Sequence, residues 1–272
     1  LLKDINKGSE SSNPTEFSVK QSMVYFSAND VRKGQELWIS DGEKGGTKLL
    51  SDVNSGEAGS FPTDLLWLNQ NLFFTADDGQ HGRELWKYSK NDQTSSMVLD
   101  IQTSSKVGSN PSGLIKLYGQ IIFAANDEVY GRELWISDGT AENTRLLEDI
   151  NPGGFSSNPS NFNLLNNTLY FTADSFLMGG TQIMRIEKNA NKVSVIEGSI
   201  GDATGSDPSN LHASEDKLFY AAATKLEPKE EELGSDSSVA SEDPGGFMVA
   251  NNGVSQDGIG YINDYNQRIS EY

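Results

Sequence analysis

One spacing constrains this chain more than any other feature. A proline recurs at Pro14, Pro62, Pro111, Pro159 and Pro208, in steps of 48, 49, 48 and 49 residues. Each stands in a related tripeptide: Ser12-Asn13-Pro14, Ser60-Phe61-Pro62, Ser109-Asn110-Pro111, Ser157-Asn158-Pro159 and Ser206-Asp207-Pro208. An apolar run follows at a fixed distance, beginning at Val24, Leu72, Ile121, Leu169 and Leu218. Glu-Leu-Trp then recurs at 36–38, 84–86 and 133–135, with looser versions at Gln182-Ile183-Met184 and Gly246-Phe247-Met248. A fixed period of this size marks a repeat architecture, in which one supersecondary unit is copied and stacked.

Within each unit, four short segments rich in aromatic and branched residues are separated by Gly, Asn, Asp, Ser and Pro, which predicts four strands, a to d. In the third unit these fall at about 113–117, 121–125, 133–137 and 145–150. Asp41-Gly42 and Asp138-Gly139, between strands c and d, read as hairpin turns. Strand b is apolar at consecutive positions, as in Ile121-Ile122-Phe123, so both of its faces are covered. A flat sandwich exposes one face; a β-propeller covers both by packing each blade on its neighbours. The expectation is therefore an all-β fold, a five-bladed β-propeller of four-stranded antiparallel blades, with residues 1–272 forming a single domain. Leu1-Leu2-Lys3-Asp4-Ile5-Asn6 matches Leu146–Asn151, a strand d, and Tyr261–Asn266 matches it as well. Residues 1–6 are expected to close the ring from outside.

Glu-Leu-Trp-Ile-Ser-Asp-Gly-Thr at 133–140 resembles the signature of the bacterial ELWxxDGT repeat proteins. Residues 36–42 carry it as far as Asp-Gly, with Glu43 in place of Thr; the second unit departs after Trp86, and the last two keep only the apolar pattern. The resemblance implies a secreted or surface-associated repeat protein within a larger assembly, and implies no settled activity.

Composition narrows the functional classes. There is no cysteine, so disulfides, thiolate metal sites and cysteine nucleophiles are excluded. Two histidines, His81 and His212, leave little for a His-centred triad or zinc site. A net charge of −18 opposes nucleic-acid binding, which needs clustered Lys and Arg. No apolar run is long enough for a transmembrane helix.

Two residues after each proline stand Glu16, Asp64, Gly113, Asn161 and Asn210, followed by Phe17, Leu65, Leu114, Phe162 and Leu211. If the apolar set faces the core, alternation turns the polar set toward the axis. Glu16, Asp64, Asn161 and Asn210 are thus candidate ligand-binding residues, and Trp67, outside the Glu-Leu-Trp register, is kept beside them. Glu16 and Asp64 are also the candidate metal ligands, for Ca²⁺ or Mg²⁺, since only oxygen donors are offered. The plainer reading is that these groups solvate a tunnel mouth or cap loops. Asp and Asn at the start of the b–c loops (Asn29-Asp30, Asp77-Asp78, Asn126-Asp127) read as turn formers.

Glu36, Glu84 and Glu133, with Arg83 and Arg132 before two of them, recur in register and so read as repeated structural bonds. No asymmetric catalytic cluster stands out, and the expectation is a non-catalytic binding or structural module, with another protein as its partner. A glycan-binding propeller is the alternative. A glycoside hydrolase using Glu16 and Asp64, which would need the two carboxylates about 5–10 Å apart, ranks below it. The fifth unit carries an insertion at 225–245 with seven acids against two lysines. Composition reads it as a solvated loop on the face that holds the axial ring, suited to a basic partner surface.

Overall fold

The computed structural model describes residues 1–104, 106–186, 192–196, 208–214, 217–221, 247–248 and 260–263. The acidic insertion at 225–245, and its placement on the face of the candidate ring, lie outside them. The described residues form strands and turns without a helix. The chain divides into two compact units, Leu1–Asn158 and Pro159–Tyr272.

The first unit holds three four-stranded antiparallel sheets. Sheet one is β1 (Thr15–Lys20), β2 (Met23–Asp30), β3 (Gly34–Ser40) and β4 (Lys48–Ser51). Sheet two is β5 (Thr63–Leu68), β6 (Asn71–Asp77), β7 (Arg83–Ser89) and β8 (Thr94–Leu99). Sheet three is β9 (Ser112–Leu117), β10 (Gln120–Asp127), β11 (Gly131–Ser137) and β12 (Arg145–Glu148). Each is a meander in chain order, which short turns between neighbouring antiparallel strands allow.

The second strands are buried on both faces, as their unbroken apolar runs require. Leu72, Phe74 and Ala76 of β6 pack with Tyr25, Leu37 and Ile39 of sheet one, while Phe73 and Leu85 pack with Ile121, Phe123 and Trp135 of sheet three. Phe73, Phe74 and Phe123 are all but inaccessible to solvent. Burial of apolar area from both sides is the main force joining sheet to sheet.

The second unit holds β13 (Ser160–Leu165), β14 (Thr168–Ser175), β15 (Gly180–Ile186) and β16 (Val193–Val195) in one sheet. The other contains β17 (Ser209–Ser214), β18 (Lys217–Ala221), β19 (Phe247–Met248) and β20 (Gly260–Asn263). Leu165, Tyr170 and Ile183 of the first meet Leu211, Leu218 and Tyr220 of the second.

Four expectations change. Tyr261-Ile262-Asn263 is not a strand d: β20 pairs β18, with Phe219 opposite Tyr261, while β19 pairs the same strand farther along. Two separate segments thus share the place that one strand c fills elsewhere. The Asp-Gly steps do not make two-residue hairpins. They open the longer links 41–47 and 138–144, in which Ser40 Oγ meets Thr47 Oγ1 at 2.7 Å and Ser137 Oγ meets Thr144 Oγ1 at 2.7 Å. Asp138 holds its link by accepting from the Thr140 amide and hydroxyl and from Asn143.

The alternation assumed for the first strands is also broken. Register shifts occur in every one of them, at the residue two after the proline. Glu16, Asp64, Asn161 and Asn210 have φ of 56°, 57°, 53° and 53°, and Gly113 has 68°. Each is a bulge residue in the left-handed region, where Asn, Asp and Gly are tolerated best. Finally, Phe17 does not face a core: it is 64% exposed, whereas Leu65 and Leu114 at the same register are packed.

Candidate functional site

The bulge converts the expected axial ring into a relay. Within the first unit, the Asp64 amide donates to Glu16 Oε2 at 3.0 Å and the Gly113 amide donates to Asp64 Oδ1 at 3.0 Å. Each carboxylate therefore accepts from the first strand of the following sheet. Arg83 and Arg132 reach the same region. Arg83 donates to the Thr75 carbonyl and hydroxyl and to the Phe61 carbonyl; Arg132 donates to the Asn110 carbonyl and to Ser112 Oγ. Burial lowers both guanidinium pKa values, opposed in each case by the Asp64 charge.

In the second unit, Asn161 Nδ2 donates to Thr172 Oγ1 at 2.9 Å within its own sheet, and Asn210 is exposed. There the joint between first strands is Asn163, which donates to the Leu211 carbonyl at 2.8 Å and accepts from the Ala213 amide at 3.2 Å. Sequence reasoning passed over Asn163 because its register reads Ser18, Leu66, Ile115 and His212 elsewhere, so no amide recurs there. Trp67 packs edge-on to Tyr25 at 4.9 Å, with the Lys20 ammonium 5.3 Å above its ring. Among the described residues no group of three or more His, Asp or Glu is arranged to hold a metal ion.

The most deeply engaged chemical groups are the glutamates of Glu-Leu-Trp. Glu36, Glu84 and Glu133 are fully buried. Glu36 accepts from Val53 N at 3.1 Å, Asn54 N at 3.2 Å and Ser60 Oγ at 2.6 Å. Glu84 accepts from Ile101 N at 3.4 Å, Ser109 N at 2.6 Å and Ser109 Oγ. Glu133 accepts from Ile150 N at 3.0 Å, Ser157 N at 2.7 Å and Ser157 Oγ. The serine is that of the Ser-x-Pro tripeptide. Its carbonyl accepts in turn from the next sheet, Ser60 O from Asp77 N and Ser109 O from Asn126 N. The serine is a pivot: its hydroxyl faces one sheet and its carbonyl the next. A buried carboxylate needs such donors, and this explains why both motifs repeat at one period.

Burial nonetheless raises the pKa of all three glutamates, because desolvation outweighs the donated bonds, and Asp52, Asp100 and Asp149 add to it. A carboxyl whose folded pKa is raised binds its proton more readily in the folded state. Stability therefore falls as pH rises from the ordinary value of 4.5 through the raised folded value, and is flat above it. Asp78 and Asp138, held low by bonds from His81 and Thr140, act only below the ordinary 3.8. Denaturant unfolding followed upward from pH 4.5 should show the parent losing stability with pH, and Glu84→Gln losing less. Equal slopes would contradict this electrostatic picture.

No protein-family model matches the chain, and no curated protein matches its sequence. Among solved structures it is similar to a puromycin-hydrolyzing peptidase of Mycobacterium tuberculosis, at 11% identity and a TM-score of 0.48, over 80% of this chain and 36% of that one. It is similar to the computationally designed Ika8 protein at 17% identity and 0.42, over 77% and 55% of the two chains. A GH74 enzyme of Niastella koreensis stands at 11% and 0.47, over 78% and 33%. The chain spans about half of the designed protein it matches and about a third of the peptidase.

Proposed function

We propose that the chain is a five-bladed β-propeller that serves as a non-catalytic binding or structural module of a secreted or surface-associated assembly. The repeated four-stranded sheets fit a propeller-like repeat protein, and the five prolines at a constant pitch supply the blade count. The observation that carries the functional reading is the fate of the recurring carboxylates. Glu36, Glu84 and Glu133 are spent on joining sheets, and Glu16 and Asp64 accept from neighbouring backbone. A propeller enzyme would draw an asymmetric cluster from one or two repeats. Location outside the cytosol rests on the resemblance to ELWxxDGT repeats alone. Partner contact through the acidic insertion rests on its net charge, two lysines against seven acids.

The test is turnover. Incubation of the intact chain with a glycan panel should release no product, and Glu16→Gln should change nothing. Robust hydrolysis abolished by that substitution would overturn the proposal in favour of a glycoside hydrolase. Saturable glycan binding without turnover would replace a protein partner by a carbohydrate one.

A further inference from the structure

One end of sheets two and three presents large apolar side chains to water. Phe61, on the link from β4 to β5, is 51% exposed, and Val107, on the link from β8 to β9, is 68% exposed. Val129 and Tyr130, between β10 and β11, are 65% and 38% exposed. Among the described residues, the opposite end of the same two sheets exposes one large apolar side chain, Tyr118. Gathered apolar surface of this kind marks a contact region more often than scattered single residues do.

The loops that carry these side chains are tied to one another. Arg83 Nη2 donates to the Phe61 carbonyl at 2.8 Å, and the Arg83 amide donates to the Val107 carbonyl at 3.4 Å. The Ser104 amide donates to Glu128 Oε1 at 2.7 Å, and Arg132 Nη1 to the Asn110 carbonyl at 2.8 Å. The Val107 link is thereby fastened to the 126–130 loop beside it. By the proline landmarks, these residues belong to the second and third repeats, the two that do not border the fifth in the proposed ring.

Phe61 is the anchor of this surface. Its φ is 50°, in the left-handed region. The same register reads Asn13, Asn110, Asn158 and Asp207 in the other repeats, all residues that tolerate this conformation. A bulky aromatic there is an outlier, and half of it stays in water, so burial within the fold does not offset the strain. Strain that the fold does not repay points to a contact made outside it.

The surroundings are acidic. Loops 77–82, 100–110 and 126–130 hold Asp77, Asp78, Asp100, Asp127 and Glu128 against a single lysine, Lys106. Asp77, Asp78 and Asp127 accept from backbone amides of their own turns, which fixes the carboxylates without neutralising them. Among the described residues, only Asp78 of these five forms an ion pair, with His81 at 2.7 Å. Arg83 and Arg132 stand at the same end but are committed to backbone carbonyls.

We propose that this end of sheets two and three, centred on Phe61, is the docking surface for a protein segment that presents lysine or arginine around large apolar side chains. The proposal rests on the reading of the chain as a binding module and names the surface and the chemistry of its partner. Phe61, Val107, Val129 and Tyr130 supply the apolar centre of the contact, and the carboxylates meet the basic rim. Charge decides among the other occupants. The insertion at 225–245 has seven acids against two lysines, and a second copy of the chain carries −18, so both are repelled, as an anionic lipid surface is.

The probe is a random peptide library displayed on phage and panned on the intact chain. Enriched sequences are then measured as blocked, dye-labelled peptides by fluorescence polarisation. They should combine Lys or Arg with Trp, Phe, Leu or Ile, and bind less tightly as salt rises. Phe61→Asn restores the residue of three other repeats, relieves the backbone and leaves the charge unchanged; it should weaken binding about tenfold. Tyr118→Asn makes a similar exchange at the opposite end, where φ is also positive at 47°, and should leave binding unchanged. Neither variant should unfold earlier than the parent, which separates lost binding from lost structure. No enriched consensus, enrichment of acidic or uncharged sequences, or equal effects of the two substitutions overturns the proposal. So does self-association in sedimentation that Phe61→Asn abolishes, which would give the surface to a second copy. None of these results touches the non-catalytic reading, which falls only to turnover.

Discussion

Glu133→Ala should destabilise the first unit by about 3 kcal/mol, because it strips the acceptor from three donors at once, two of them buried. Those donors are Ile150 N, Ser157 N and Ser157 Oγ, and the two on Ser157 are fully buried, without water to turn to. Glu133→Gln should cost less, since the amide oxygen keeps one acceptor in place. The order parent, Gln, Ala in denaturant midpoint is the expected result. A glutamate whose role was to meet a ligand would show little loss of stability in either variant.

Trp135→Ala should cost about 3–5 kcal/mol, the range for truncating a large buried aromatic. Trp135 is 8% exposed and packs with Phe73, Leu85, Ile121 and Phe123 at the junction of sheets two and three. Its loss opens a cavity shared by both sheets, so the two should unfold together and earlier. Urea unfolding followed by the fluorescence of the remaining tryptophans reads this out; a midpoint equal to the parent's would mean that the cluster does not hold the sheets together.

The sheets were legible in the sequence because burial on two faces leaves a mark that no other strand environment leaves. The runs at Leu72–Ala76 and Ile121–Ala125 could only be covered strands, and they are. The role of Glu-Leu-Trp was half legible. Recurrence in register marked Glu36, Glu84 and Glu133 as structural, but the partner was hidden, since the serine that grips each glutamate lies 24 or 25 residues farther along the chain. The two motifs repeat together because they are one bond.

Where the reading failed, a local backbone choice overrode a periodic rule. Alternation along the first strands assumes regular pleating, and a left-handed bulge at Glu16, Asp64 and their counterparts removes it. Gly113, Asn161 and Asn210 carried the signal of that conformation in the sequence; Glu16 at the same place conceals it. Phe17 is exposed for a different reason: it stands on the face of sheet one opposite the face that packs with sheet two. The d-like Tyr261–Asn263 shows that a matching hexapeptide does not fix a pairing partner when the strand before it is interrupted by a long insertion.

The measurement closest to the centre of this account is a double-mutant cycle between Glu133 and Ser157, using Glu133→Gln, Ser157→Ala and the pair. If the glutamate of the repeat signature exists to hold the serine of the next tripeptide, the two losses overlap. The double variant should then be more stable than their sum predicts by about 1 kcal/mol or more. Additive losses would mean that the two groups do not act on each other, and that the Glu-Leu-Trp repeat is kept for something other than joining its sheets.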